Sequence, residues 1–294
     1  MDFDEYQKKA SETDQFPNDN VRGESISLFG LIGEIGTLLT CFKKRIRDKS
    51  AYKTFLTDIK TEMGDVLWYV ANLATKYKLS LNEIAEYNIE KTRNLWPQVG
   101  LMAEAYSLYD DTFSPQEQLP RALSIKFSES TAESLAPIKV AISISGESTG
   151  DILTDNAYND DGYRYHDVFH FAYAAILGWS PVLRWMTKCK RKSNAMVDRV
   201  EDGAREILTE ELISLYVYNY ARNHNYFDGV SHVDNEVLIT IRNLVQGLEV
   251  ETRTAYEWRV AILKGYEAFR YLTTNNGGIV EIDLSKRVLQ FKAA

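Results

Sequence analysis

Glu34, Glu62 and Asp65 are residues whose types and spacing could do chemistry together. Glu34 lies in Gly30-Leu31-Ile32-Gly33-Glu34-Ile35-Gly36. The other two open Glu62-Met63-Gly64-Asp65-Val66-Leu67-Trp68-Tyr69, and Asn88-Ile89-Glu90-Lys91-Thr92-Arg93 follows. A helix turns by about 100° per residue, so positions three, four and seven apart share a face. On that count Asp58, Glu62, Asp65, Tyr69 and Asn72 fall within one quarter of a helix. Carboxylates brought together repel unless a cation or a proton neutralises them. Hard oxygen ligands at loose helical spacing suit Mg²⁺, which keeps several waters and takes other ligands from phosphate. With Lys43, Lys44, Arg45, Arg47, Lys91 and Arg93 nearby in sequence, the pattern points to metal-assisted phosphoryl chemistry on a nucleotide. On spacing alone, a solvated charged helix face remains the alternative.

The elements that must position these groups are amphipathic helices. Leu31, Ile35, Leu38, Leu39, Phe42 and Ile46 make the apolar face of one, with Glu34 at its edge beside Thr37 and Cys41. Ile59, Met63, Val66, Val70, Leu73 and Ala74 make that of the next. We read helices over 2–11, 24–47 and 52–77, with a polar segment at 17–20. A fourth starts at Ser80 as N-cap, with Glu83 as its capping-box partner, and ends before Pro97. Short links between them fit half of a helical bundle, with apolar faces wide enough to want a partner subunit.

From Tyr6-Gln7 to about Pro97 the chain resembles the MazG-like, all-α nucleoside triphosphate pyrophosphohydrolase superfamily. The resemblance rests on Glu34, Glu62-x-x-Asp65 with the following Val-Leu-Trp-Tyr, and Asn88-x-x-Lys91. It implies Mg²⁺-dependent cleavage of a nucleoside triphosphate to the monophosphate and pyrophosphate, with Mn²⁺ as an alternative ion. Glu34, Glu62 and Asp65 would hold the metal and carry catalysis. The family has a second Glu where this chain has Thr37, and Asp58 or Thr37 would complete the metal shell. Lys44, Lys91 and Arg93 would neutralise the triphosphate, Asn72 would position ribose or a metal water, and Asn88 would join the substrate-binding set. Trp68 or Tyr69 would stack on the base, or serve as core aromatics.

Composition sets the frame. The chain has 294 residues, 45% hydrophobic and 26% charged, enough for two domains with their own cores. We expect a pyrophosphohydrolase domain over 1–97, a linker over 98–120, and a mostly helical α+β domain with a small antiparallel sheet over 121–294. The fold class is thus mainly α. Formal charge is −8, with 14 Lys+Arg against 15 Asp+Glu in residues 1–97, so most of the excess acid lies beyond them. That acidity argues against stable nucleic-acid binding. Cys41 and Cys189 form no disulfide framework or zinc spacing. No apolar run approaches bilayer length and the first residues make no signal peptide, so we expect a cytoplasmic setting and no membrane partner.

In the second half, 123–127 and 138–144 alternate like strands, and 278–284 with 287–291 reads as a closing hairpin. Helices are expected over 163–192, 196–223, 233–247 and 252–273. His166, Asp167 and His170 form a polar constellation one turn long. It could chelate a metal if a third ligand came from a distant helix, or could be buried polar partners orienting helices. The run Lys188, Lys190, Arg191, Lys192 could reach a phosphate or be a solvated helix end. This half resembles the extension found on some MazG-like proteins. Three functions stay open: the pyrophosphohydrolase, working as a homodimer or higher homo-oligomer in house-cleaning or nucleotide depletion during phage infection; a nucleotide sensor weakened by Thr37; and chemistry housed in the His166/Asp167/His170 domain.

Overall fold

The computed structural model describes residues 1–16, 21–95, 107–130 and 137–293. The polar segment expected at 17–20, the chain around Pro97 and the first part of the expected linker lie outside these. The described chain divides into two compact units, Met1–Arg93 and Asn94–Ala294.

The first unit is all helix. α1 (Phe3–Ser11) starts at Asp2, whose carboxylate accepts the Glu5 N–H at 2.8 Å and so satisfies one of the unpaired donors of the first turn. α2 (Val21–Asp48) and α3 (Phe55–Lys76) pack side by side. Their seam is made by small residues of α2: Gly23, Ser27 and Cys41 are buried. The Tyr69 ring lies so close to Gly30 that a Cβ there would come within 2.2 Å of it. Glu34 belongs to this seam. The apolar stripe expected as core is only partly covered: Ile35, Leu39, Phe42 and Ile46 are exposed, Leu31 and Leu38 are half-buried, and Phe42 meets Phe55 of α3 edge-on. Small side chains admit the closest approach between helices, so α3 packs on them and leaves much of the bulky stripe outside.

That stripe also makes Val21–Ala51 long and apolar enough to cross a membrane by length and composition, contrary to the expectation that no run reaches bilayer length. An acid such as Glu34 within such a helix is costly in hydrocarbon.

Behind α3, Ala10, Ala71, Ala74 and Leu81 form a small core against which Tyr6 and Trp68 pack. Gln7 clamps the turn into α4 (Leu81–Leu95): its amide donates to Leu79 O at 2.9 Å and accepts from Leu81 N–H at 2.7 Å. Ser80 caps α4 as expected, accepting the Glu83 N–H at 3.2 Å, while its own hydroxyl donates to Asp4 at 2.7 Å. α4 is held by this first turn and, among the described residues, is not broadly packed against α2 or α3.

The second unit is a five-stranded antiparallel sheet with helices packed against it. β1 (Ala122–Ser130), β2 (Lys139–Ile144) and β3 (Glu147–Ser148) precede the helices, and β4 (Gly277–Asp283) and β5 (Val288–Lys292) follow them, in the order β3-β2-β1-β4-β5. Both ends of the domain therefore meet in one sheet, as the alternation predicts. Leu123, Ile125 and Phe127 of β1, Val140 and Ile142 of β2, and Val280 and Ile282 of β4 are buried. α5 (Val168–Leu177) is buried along its whole length and packs on α10 (Ala255–Asn275) and on β4 and β5.

The expected 163–192 helix is broken. α5 stops at Gly178, which takes the left-handed conformation at φ 69°, and α6 (Pro181–Met186) restarts from the Ser180 cap. The expected 196–223 helix splits likewise at Gly203 into α7 (Ala195–Val200) and α8 (Ala204–Arg222), and α9 (Asn235–Leu244) precedes α10. Residues 107–120, expected as linker, contribute Leu108 and Leu119 to the core.

Arg191 is not on a solvated helix end. It is 1% exposed and donates to Asp202 and to both Glu249 carboxylate oxygens, the latter at 2.8 Å. Beside it, Glu201 accepts the Glu249 N–H at 3.2 Å, and burial together with the Glu249 charge pushes its carboxyl up to about 7. A carboxyl whose folded pKa lies above its unfolded one binds its proton more tightly when folded. Its contribution to stability is then complete below about 4.5 and is lost as pH rises through about 7. Denaturation midpoints of wild type should therefore fall relative to Glu201→Gln across that window, whereas parallel pH profiles would contradict this.

Candidate active site

α2 and α3 bring three of the predicted acids together. One carboxylate oxygen from each of Glu34, Glu62 and Asp65 lies within 4.8 Å of the others. Asp65 is exposed and the other two are half-buried, so the cluster opens to solvent. Among the described residues none of the three makes an ion pair with a Lys or Arg. Like charges held this close need a counter-charge, and an all-oxygen, all-carboxylate donor set fits a hard divalent cation.

Thr37 sits inside this cluster as a donor. Its hydroxyl donates to the Glu62 carboxylate, with the Glu34 carboxylate 3.3 Å away and the Glu34 backbone carbonyl at 2.8 Å. Where a fourth carboxylate would add repulsion, the threonine instead links α2 to the Glu62 carboxylate of α3. Near the third acid, the Tyr6 hydroxyl is held above its usual range by burial and by the Asp65 charge. Tyr6 was legible only as the start of the family resemblance.

Asp58, expected to stand in for the missing glutamate, lies outside this group of three. One turn before Glu62, its carboxylate accepts from the Tyr52 hydroxyl at 2.6 Å and from Thr54 at 3.1 Å. That bond, with burial and Cys41, pushes the Tyr52 hydroxyl above its usual range.

The remaining predicted residues are dispersed. Lys44 is exposed, with its ammonium 6.0 Å from the Tyr52 ring centre. Asn88, Lys91 and Arg93 are exposed on α4. Asn72 is buried, its amide donating to Trp68 O at 3.1 Å. Trp68 is held in the core of the first unit: its indole N–H donates to Thr13 at 2.8 Å and its ring meets Tyr69 edge-on.

In the second unit His166, at the end of a 3-10 turn (Tyr163–Tyr165), and His170, in α5, approach each other. Their ring centres are 6.1 Å apart, and α8 adds Glu210 and Glu211. His170 is fully buried; burial lowers its pKa, but the two glutamates outweigh that and hold it well above the usual histidine value. Glu211 lies too far along the chain from the two histidines for any local spacing to have signalled it.

Comparison with known proteins covers both units. A family model described as the MazG nucleotide pyrophosphohydrolase domain matches residues 28–100, and one described as the MazG C-terminal domain matches residues 104–294. The Gene 37 protein of Mycobacterium phage L5 is 36% identical over 100 residues, covering 32% of this chain and 88% of that protein. No solved structure matches.

Proposed function

Because this chain belongs to the MazG family, we propose that it is a divalent-metal-dependent nucleoside triphosphate pyrophosphohydrolase. The observation that carries this reading is the convergence of Glu34, Glu62 and Asp65 across the α2–α3 seam with no cationic side chain paired to them among the described residues. These three carboxylates would hold Mg²⁺, or Mn²⁺ in its place. When bound, the ion supplies polarised phosphate oxygens and a lowered pKa for the attacking water. The chain's own residues do the rest. Thr37 fixes the Glu62 carboxylate, so its ligand atom is pre-positioned rather than free to rotate. Lys44, Lys91 and Arg93 are solvent-facing cations suited to the charge of a triphosphate.

We assign the exposed stripe of α2 to a second copy of this chain. Phe29, Ile32, Leu39, Phe42 and Ile46 make an apolar face on the helix that carries Glu34, and burying such a face is the main driving force of association. A homodimer or higher homo-oligomer is the reading that covers it.

The test is a panel of canonical and modified nucleoside triphosphates with Mg²⁺ or Mn²⁺, the products separated by chromatography. Hydrolysis that stops on adding EDTA supports the proposal. Full activity in chelator, or none with any nucleotide, overturns it. In the same assay Asp58→Ala should keep the wild-type Mg²⁺ dependence and lower the melting temperature slightly, since two hydrogen bonds worth about 1 kcal/mol each are lost. A weakened Mg²⁺ titration would return Asp58 to the metal site.

A further inference from the structure

His170 is the one charge-capable group in α5 apart from the phenol of Tyr173; every other residue of Val-Phe-His-Phe-Ala-Tyr-Ala-Ala-Ile-Leu is apolar, and the whole helix is buried. A histidine in such a place needs partners for both ring nitrogens. Its Nδ1 lies 2.9 Å from Glu210 Oε1. Glu210 already accepts from the Ser180 hydroxyl at 2.7 Å and the Val182 N–H at 2.9 Å, so it is a fixed, ionised acceptor and Nδ1 must carry the proton. The Nε2 of His170 is buried and has no hydrogen-bond partner among the described residues; the nearest acid, Glu211, has Oε1 3.4 Å away.

His166 repeats the pattern. Its Nδ1 lies 2.8 Å from Tyr163 O, a carbonyl that only accepts, so the proton again sits on Nδ1. Its Nε2 faces Asp167 Oδ1 at 3.1 Å. Tyr163 stacks flat on the ring, centres 4.4 Å apart, and holds that orientation. Both imidazoles therefore turn their Nε2 edges toward carboxylates, with ring centres 6.1 Å apart. A proton can occupy either edge, and one divalent ion can replace both protons between the rings.

We propose that His166, His170 and Glu211 bind a first-row divalent transition ion, with Zn²⁺ as the reference. A ligand atom from each lies within 4.8 Å of the others, which is the first requirement for a shared ion. Two imidazole nitrogens and one carboxylate are a borderline donor set that suits Zn²⁺ and its neighbours rather than Mg²⁺. Glu210 on the far nitrogen of His170 is the orienting acid that metal-bound histidines characteristically have. His170 is enclosed, whereas Glu211 is 38% exposed, so water would complete the shell on the α8 side. The ion would join α5 to α8 independently of the acids in the first unit.

The test must keep the two sites apart. The full chain carrying Glu62→Gln and Asp65→Asn is stripped with chelator, dialysed, and titrated with Zn²⁺ by calorimetry and with Co²⁺ by visible absorption. We expect one ion per chain, d–d bands of a nitrogen-ligated ion, and a melting temperature that rises with Zn²⁺. Adding His166→Gln, or separately Glu211→Gln, should abolish all three while circular dichroism stays unchanged; both residues have solvent-facing sides that the fold can spare. Absence of Zn²⁺ binding in the parent chain would overturn the proposal, as would identical isotherms in the parent and both variants. So would ¹⁵N spectra showing both Nε2 atoms still protonated in saturating Zn²⁺.

Discussion

Replacing Glu62 by glutamine should lower turnover by roughly 10²-fold or more, about 2.7 kcal/mol of transition-state stabilisation, without lowering the melting temperature. Asp65→Asn should behave the same way. The two halves of the expectation have one cause. Glu34, Glu62 and Asp65 hold three like charges within 4.8 Å, an arrangement that costs folding energy unless something cationic joins it. Removing one charge relieves that repulsion, so the metal-free protein should melt at the same temperature or higher. The same change removes a ligand charge where phosphate chemistry needs it. Thr37 can still donate to the amide oxygen of the introduced glutamine, so the seam of α2 and α3 stays closed. Steady-state kinetics across Mg²⁺ concentrations, alongside thermal melts in EDTA, check both parts. Near-normal turnover in both variants would make these acids surface charge only.

Asp202→Ala should destabilise the second unit by about 3–5 kcal/mol, a drop in melting temperature on the order of 10 °C. Asp202 is fully buried and accepts the Arg191 backbone N–H and side chain, both at 2.7 Å, with Arg184 3.5 Å away. Arg191 and Arg184 are themselves 1% and 2% exposed. Glu249 and Asp110 remain as partners for the two arginines, but the backbone donor and the inner side of the Arg191 guanidinium would face an empty, dry space. Burying unpaired charge costs more than the lost pair contributes, which places this change among the most damaging available outside the apolar core. Asp202→Asn keeps an acceptor and should cost less. A melt of Asp202→Ala within a degree or two of wild type would show that the network carries little stability.

Much of the fold was legible because local signals agreed with tertiary packing. The alternation at 123–127 and 138–144 became β1 and β2, the closing hairpin became β4 and β5, and Ser80 caps α4. The break at Gly178-Trp179-Ser180-Pro181 was written in the chain, but the apolar run on both sides of it hid it; at Gly203 the flanking residues are helix formers that read as one helix. The wheel placed Glu34 at the edge of the bulky stripe of α2 correctly. It could not say that α3 packs on the small-residue side, because a wheel records which residues share a face and not which face a neighbour prefers. Asp58 shows the same limit along the axis. One turn of rise is enough to carry a carboxylate from Glu62 to Tyr52 and Thr54, though the angular positions nearly coincide. Contacts between distant segments, such as Arg191 with Glu249 and His170 with Glu211, leave no trace in local spacing.

The reading of the first unit as a pyrophosphohydrolase rests on which bond is cleaved. The most direct measurement is the stoichiometry of products from a nucleoside triphosphate incubated with the full chain and Mg²⁺, each followed separately. We predict one pyrophosphate and one nucleoside monophosphate for each triphosphate consumed, with both products absent in EDTA. Orthophosphate and nucleoside diphosphate in equal amounts, or nucleotide bound without turnover, would contradict it.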